Sequence, residues 1–125
     1  MAPDDPHLPR AAPIDAYGNG GFRFAGMSHR GSLLCLPDGI WAWPVAGTAE
    51  LSAATLAPVF ARDGQLDMFL IGGGRDPWVL PEALRALFRV RHISIDAMTT
   101  AAAVRTWNVV VAEGRRAGAG LIAVD

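Results

Sequence analysis

The amino-acid sequence predicts an α/β fold in a single domain, and three observations carry that reading. From Asp67 to Val124, apolar runs of strand length alternate with stretches of helical period, in the order strand, helix, strand, helix, strand. The first of these strands empties into a glycine loop, Gly72-Gly73-Gly74-Arg75. The half before it, Ile14 to about Pro44, is broken every few residues by turn formers, as a β-hairpin or meander is.

The elements follow in chain order. Residues 1–13 hold Pro3, Pro6, Pro9 and Pro13 with Asp4 and Asp5, a composition that predicts a disordered, Pro-rich tail ahead of one α/β domain over 14–125. Tyr17-Gly18-Asn19-Gly20-Gly21 is a turn, and Phe22-Arg23-Phe24 alternates as a half-buried strand does. Ser32 to Leu36 is an apolar run of buried-strand length. Pro37-Asp38-Gly39 turns the chain, because Pro presets φ, Asp bonds its own backbone and Gly accepts positive φ. Ile40 to Trp43 returns as the partner strand.

Thr48 to Leu51 is expected as a short strand, and Leu56 to Arg62 as a helical turn that Pro58 starts. Asp67 to Ile71 is a buried strand. Pro81 and Glu82 then suit the first turn of a helix whose Leu84, Leu87 and Phe88 share a face. His92 to Met98 is the next strand. The last helix begins near Thr99 or Thr100, either able to cap it. Its sheet-facing stripe is Ala103, Val104, Trp107, Val110, Val111 and Gly114; Arg105, Val109, Ala112 and Arg116 lie opposite. Gly118 is expected to end this helix and Ala119 to Val124 to form the closing strand.

Composition narrows the chemistry. The 125 residues are 51% apolar, enough for one core, yet no uncharged apolar run reaches membrane-spanning length. The start lacks the pattern of a signal or transit peptide, so the expected location is cytoplasmic. The 11 basic and 12 acidic groups balance to a net charge of −1, which leaves no footprint for nucleic-acid binding. Every basic residue is Arg, and without Lys there is no Schiff-base or lysine-nucleophile chemistry. Cys35 alone forms no internal disulfide, and flanked by Leu34 and Leu36 it reads as an inert core residue. His29 and His92 have no ligand-like spacing, so no metal site is assigned. No nucleophile, acid/base pair or cofactor motif emerges, and no catalytic residue or cofactor is assigned.

What remains is a set of candidate binding and contact residues. Gly72, Gly73 and Gly74 after a strand can present N–H groups to an anion, or can be a tight turn and no more. A dinucleotide fingerprint is incomplete: Pro77 stands at the third glycine position and the helix starts too late. Arg75 is either an anion clamp or the partner of the adjacent Asp76. Arg105 and Asn108, three apart, share a helix flank. They can line a cleft with the glycine loop, or hydrogen-bond loop backbone and hold the helix in register. Trp41 and Trp43 project to one side of their strand, a pattern that suits core packing. Trp78, in a loop, is the candidate interface anchor, with Val109 and Ala112 on a half-apolar helix face that a second subunit could cover.

Several of these segments together resemble a known family. They are Gly31-Ser32-Leu33-Leu34 through Pro37-Asp38-Gly39 to Trp43, then Leu70-Ile71-Gly72-Gly73-Gly74, then Leu80-Pro81. The most specific is Arg105-Thr106-Trp107-Asn108 followed on the same helix by Glu113-Gly114-Arg115. Over Ile14 to Val124 the chain resembles the small α/β domain family of the mitochondrial NADH:ubiquinone oxidoreductase (complex I) assembly factor 3, which includes bacterial and archaeal proteins. It departs from that family at Gly73, where Thr is frequent, at Val104, where Cys is frequent, and at Trp107, where Tyr is frequent. The resemblance implies a three-layer fold with a mixed central sheet and an extra β layer, and it brings no established catalytic residue. It implies a non-catalytic protein-interaction domain, an assembly or accessory factor with an unidentified protein partner. The alternative reading is a small-molecule or anion-binding protein, an enzyme of unknown reaction included, that uses the Gly72–Arg75 loop.

Overall fold

The computed structural model of the chain describes residues 5–125. Among these residues eight strands form two sheets. A three-stranded antiparallel meander is built from β1 (Ala16–Gly18), β2 (Gly21–Phe24) and β3 (Met27–Arg30). The central sheet contains β4 (Ser32–Leu36), β5 (Gly39–Trp43), β6 (Met68–Gly72), β7 (Ser94–Met98) and β8 (Ala117–Leu121), in the order β5-β4-β8-β6-β7. The α-helices of the described residues are α1 (Ala57–Phe60), α2 (Glu82–Arg89) and α3 (Thr100–Ala112).

The mixed character of the central sheet comes from the hairpin. β6 runs parallel to both β7 and β8, while β4 joins β8 antiparallel, with Leu33 opposite Leu121. The β4–β5 hairpin thus belongs to the central sheet, and the extra layer is the meander alone. All five β4 residues are buried because both faces of that strand are covered. On one face α3 and the meander enclose Phe22, Phe24, Leu70, Trp107 and Leu121. On the other, α1 and α2 enclose Val59, Phe69, Ile71 and Phe88.

That split follows from the crossovers. The chain leaves β6 for β7 in one direction, then returns past β6 to β8. Two right-handed connections running in opposite directions place α2 and α3 on opposite faces. The C-terminal end of β6 is therefore where the connections diverge, the place where open α/β sheets most often bind ligands.

Four local expectations differ from the structure. Residues 7–14 do not form a loose tail. His7 N–H donates to Ile40 O, Ile40 N–H donates to Leu8 O, and Ala12 and Ile14 are buried. This strap covers the outer edge of β5; residues 1–4 of the expected tail lie outside the described residues. Thr48 to Leu51 holds a 3-10 turn, Thr48–Glu50, in which the Glu50 and Leu51 N–H groups bond back three residues. His92 precedes β7 in a turn with φ of 58°. Finally, α3 stops at Gly114, whose φ of 68° few other residues adopt, and not at Gly118. Gly114 N–H bonds Val111 O and Arg115 N–H bonds Val110 O, the paired closure of a Schellman motif. Gly118 lies inside β8, where it leaves room for Phe69 and Leu36.

Candidate functional site

The glycine loop at the end of β6 serves close packing. Gly72 is still in the strand, and a Cβ there would stand 2.8 Å from Thr100 Cα and 2.9 Å from Ala103 Cβ. Only a glycine lets α3 approach β6 so closely. At Gly73 a Cβ would overlap the Trp78 indole, which lies across the loop and donates from Nε1 to Met98 O at 3.1 Å.

Two donors of the loop are already used. Gly73 N–H bonds Met98 O at 2.8 Å, and Gly74 N–H bonds Thr100 Oγ1 at 3.0 Å. The same hydroxyl donates to Ile122 O at 2.7 Å, Ile122 N–H bonds Gly72 O, and Thr100 N–H bonds Gly74 O. Thr100 is fully buried at the centre of this closed circuit. A phosphate cradle needs N–H groups aimed outward; Gly73 and Gly74 aim theirs into the protein. Beyond the circuit Gly74 faces open space, and Arg75 is exposed with no ion pair among the described residues, to Asp76 included.

The other candidates divide between separate places. Asn108 clamps the strap, accepting from Ile14 N–H at 2.8 Å and donating to Ile14 O at 2.9 Å. Beside it, the buried Trp107 donates from Nε1 to Ala12 O at 2.9 Å. Asn108 is eight residues along α3 from Thr100, about 12 Å at 1.5 Å per residue, so it does not share a pocket with the glycine loop. Arg105 is exposed on the outer face with Val109 and Ala112, and Val109 keeps 55% of its surface. Trp78, expected as a free anchor, is half-buried and committed to Gly73 and Met98. Trp43 is in the core and donates to Thr55 O, while Trp41 stacks under the Arg62 guanidinium.

Titratable groups add little chemistry. Complete burial pushes the Cys35 thiol well above the ordinary cysteine range. Burial, and then the nearby His7 ring at 4.7 Å, holds His29 below the ordinary histidine value, with the Ser32 carbonyl opposing. Among the described residues no group of three or more His, Cys, Asp or Glu side chains could hold a metal ion. No helix among them is long and apolar enough to cross a membrane.

Sequence reasoning overlooked Thr100 and a surface groove. The signal for Thr100 was the doubled threonine: Thr99 caps α3 by accepting from Ala102 N–H, which leaves the second hydroxyl for another partner. The groove, about 410 Å³, runs beside β7 and is lined by Arg85, Arg89, His92, Ile93, Ser94 and Ile95. Its signal was the pair Arg85 and Arg89, four apart on one flank of α2. A second concavity of about 400 Å³ lies over the meander, with Arg23 and Arg30 among its residues.

Residues 14–122 match the model of the family described as protein of unknown function (DUF498/DUF598). The chain is similar to an uncharacterized protein of Rhodobacter capsulatus, 40% identical over 122 residues that span 98% of this chain and 93% of that one. It is also similar to NADH dehydrogenase (ubiquinone) 1 alpha subcomplex assembly factor 3 of Mus musculus, 28% identical over 116 residues. That match takes in 92% of this chain but 62% of the mouse protein, so the chain spans less than two thirds of that relative. The crystal structure of an outer membrane protein from Bartonella henselae superposes with a TM-score of 0.91 at 49% identity, over 95% of this chain and 100% of the other.

Proposed function

This chain belongs to the family described as protein of unknown function (DUF498/DUF598), and from that premise we propose that it is a non-catalytic protein-interaction domain, an assembly or accessory factor. The observation that carries the reading is the closed circuit at Thr100. The loop best placed to hold a ligand spends the N–H groups of Gly73 and Gly74 inside the protein. The likeness to a mammalian assembly factor supports the same reading, at 28% identity. Affinity capture with the tagged full chain tests it: one protein retained in near-stoichiometric amount is the expected result, and a chain that purifies alone counts against it.

A second reading keeps one observation in its favour. A Cβ at Gly74 would meet open space and Arg75 has no ion pair among the described residues, so a carboxylate or phosphate could meet that guanidinium from outside the circuit. A ligand present at 100 times its Kd would add about 2.7 kcal/mol of stability. A thermal shift with phosphates, carboxylates or nucleotides, lost in Arg75→Ala, would establish this reading.

The outer face of α3 adds a contact surface. Val109 and Ala112 are exposed there, and self-association through them is part of the proposal. Light scattering at high concentration should report an oligomer that Val109→Glu converts to a monomer. The proposed location is the cytoplasm; fractionation that finds the chain with the outer membrane, as the name of the Bartonella henselae protein would have it, overturns that part alone.

A further inference from the structure

The two edges of the central sheet are treated differently. At β5 the strap covers the edge through backbone bonds between Leu8 and Ile40. At the other end of the strand order, β7 pairs with β6 alone among the described residues. Ser94 N–H bonds Asp67 O, and Met98 O accepts from Gly73 N–H. Those two bonds turn the backbone of Ser94, Asp96 and Met98 toward β6. By strand alternation the N–H and C=O groups of Ile95 and Ala97 point outward. They meet no backbone partner among the described residues.

Beside this open edge runs the groove of about 410 Å³. Ile93 and Ile95 supply its apolar floor, and Arg85, Arg89 and His92 its polar wall; no acid is among the lining residues. Arg85 has no ion pair among the described residues, and the bond from Arg89 to Glu82 joins two side chains that are 60% and 69% exposed. Exposed pairs of that kind are weak and exchange readily.

We propose that β7 is a docking edge for an extended segment of another protein, acidic at every second residue, which adds as a sixth strand beside Ile95 and Ala97. The proposal rests on the protein-interaction reading above and deepens it. Main-chain bonds would supply affinity and the alternate side chains specificity. Residues facing α2 would meet Arg85, Arg89 and His92. Those facing the α3 side would meet the exposed Asp96, so acids belong on the first face and neutral or apolar residues on the second.

A second copy of this chain fits the edge poorly. Antiparallel pairing of β7 with itself would place both α2 helices on the same side of a continuous sheet. Arg85 and Arg89 would then face their own counterparts across the seam, with like charges opposed. Charge complementarity selects an acidic partner.

The test uses the full chain, isotope-labelled, and a blocked peptide of about nine residues alternating Glu and Val, with the Lys/Val peptide as control. The Glu peptide should shift the amide signals of Ile95 and Ala97 and slow their hydrogen exchange. The Lys peptide should bind at least about tenfold more weakly. In Ala97→Pro the outward N–H is lost while the bonds to β6 remain, a change that edge strands accept. Binding should fall at least about tenfold with the rest of the spectrum unchanged. Should that variant unfold, the surface pair Arg85→Glu with Arg89→Glu serves instead and should reverse the peptide preference. Equal binding of both peptides, binding of neither, shifts confined to α3, or self-association through Ile95 and Ala97 without peptide would each overturn the proposal. A captured partner protein that binds the wild type and both variants equally overturns the docking edge and leaves the protein-interaction reading standing.

Discussion

One hydroxyl, Thr100 Oγ1, joins the end of β6, the start of α3 and the exit of β8, accepting from Gly74 and donating to Ile122. Thr100→Val keeps the shape and removes both bonds, leaving the buried Ile122 O unpaired at a cost of about 1–3 kcal/mol and the part-buried Gly74 N–H at less. A lower urea midpoint in Thr100→Val, with Thr100→Ser near wild type, is the expected outcome; equal midpoints for all three would remove Thr100 from its place as keystone. A different residue sets a pH dependence. His29 is held below the ordinary histidine value of 6.5 by burial and then by His7. The unfolded chain therefore takes up that proton first as pH falls. Stability should be level above about pH 7 and decline as pH drops through about 6.5, where unfolded histidine titrates. His29→Gln should flatten that part of the denaturation profile, and a profile as steep as wild type would place the dependence elsewhere.

At the scale of elements, α3 is a two-sided connector. Its buried stripe packs on β6 and β8, and its Trp107–Asn108 flank holds the strap at Ala12 and Ile14. Asn108→Ala should leave the Ile14 N–H and C=O without partners, lower stability by about 1–3 kcal/mol and speed amide exchange at Ile14. Unchanged exchange there would show that the clamp is redundant. The helix itself was legible in the sequence, as were a threonine cap, the inward Ala103, Val104, Trp107 and Val110, and the outward Val109 and Ala112, whereas Val111 is half-buried and Gly114 lies exposed past the helix end. What Asn108 touches was not, since its partner stands 94 positions earlier and no periodicity encodes such a contact. The same gap explains β8. Gly118 and Gly120 look like punctuation, yet in the folded chain they make space for Phe69 and Trp43. A residue chosen for what lies against it cannot be told from one chosen for its backbone until its neighbours are known.

At the scale of the whole molecule, the β-α-β-α-β order of the C-terminal half was legible because each strand and helix there follows its neighbour in sequence. The route by which the N-terminal half completes the sheet was not, because β4 meets β8 through pairs such as Leu33 with Leu121. The strap sharpens this into a test. Four prolines argue locally for a chain without structure, whereas the fold uses residues 7–14 to cover the β5 edge and to accept the Trp107 N–H. Removing residues 1–13 deletes the bonds at Ile40 and Ala12 together with the buried Ala12 side chain. At about 1 kcal/mol for each hydrogen bond, and more for the indole N–H left unpaired in the core, the loss should be about 3–5 kcal/mol. It should also expose a second open sheet edge, a template for strand-to-strand aggregation. The truncated chain should melt well below the full chain and aggregate on warming, and Trp107→Phe in the truncated background should recover part of the loss by removing the orphaned donor. A truncated chain as stable and soluble as the full one would mean that the strap merely lies along β5 and that Trp107 finds another acceptor.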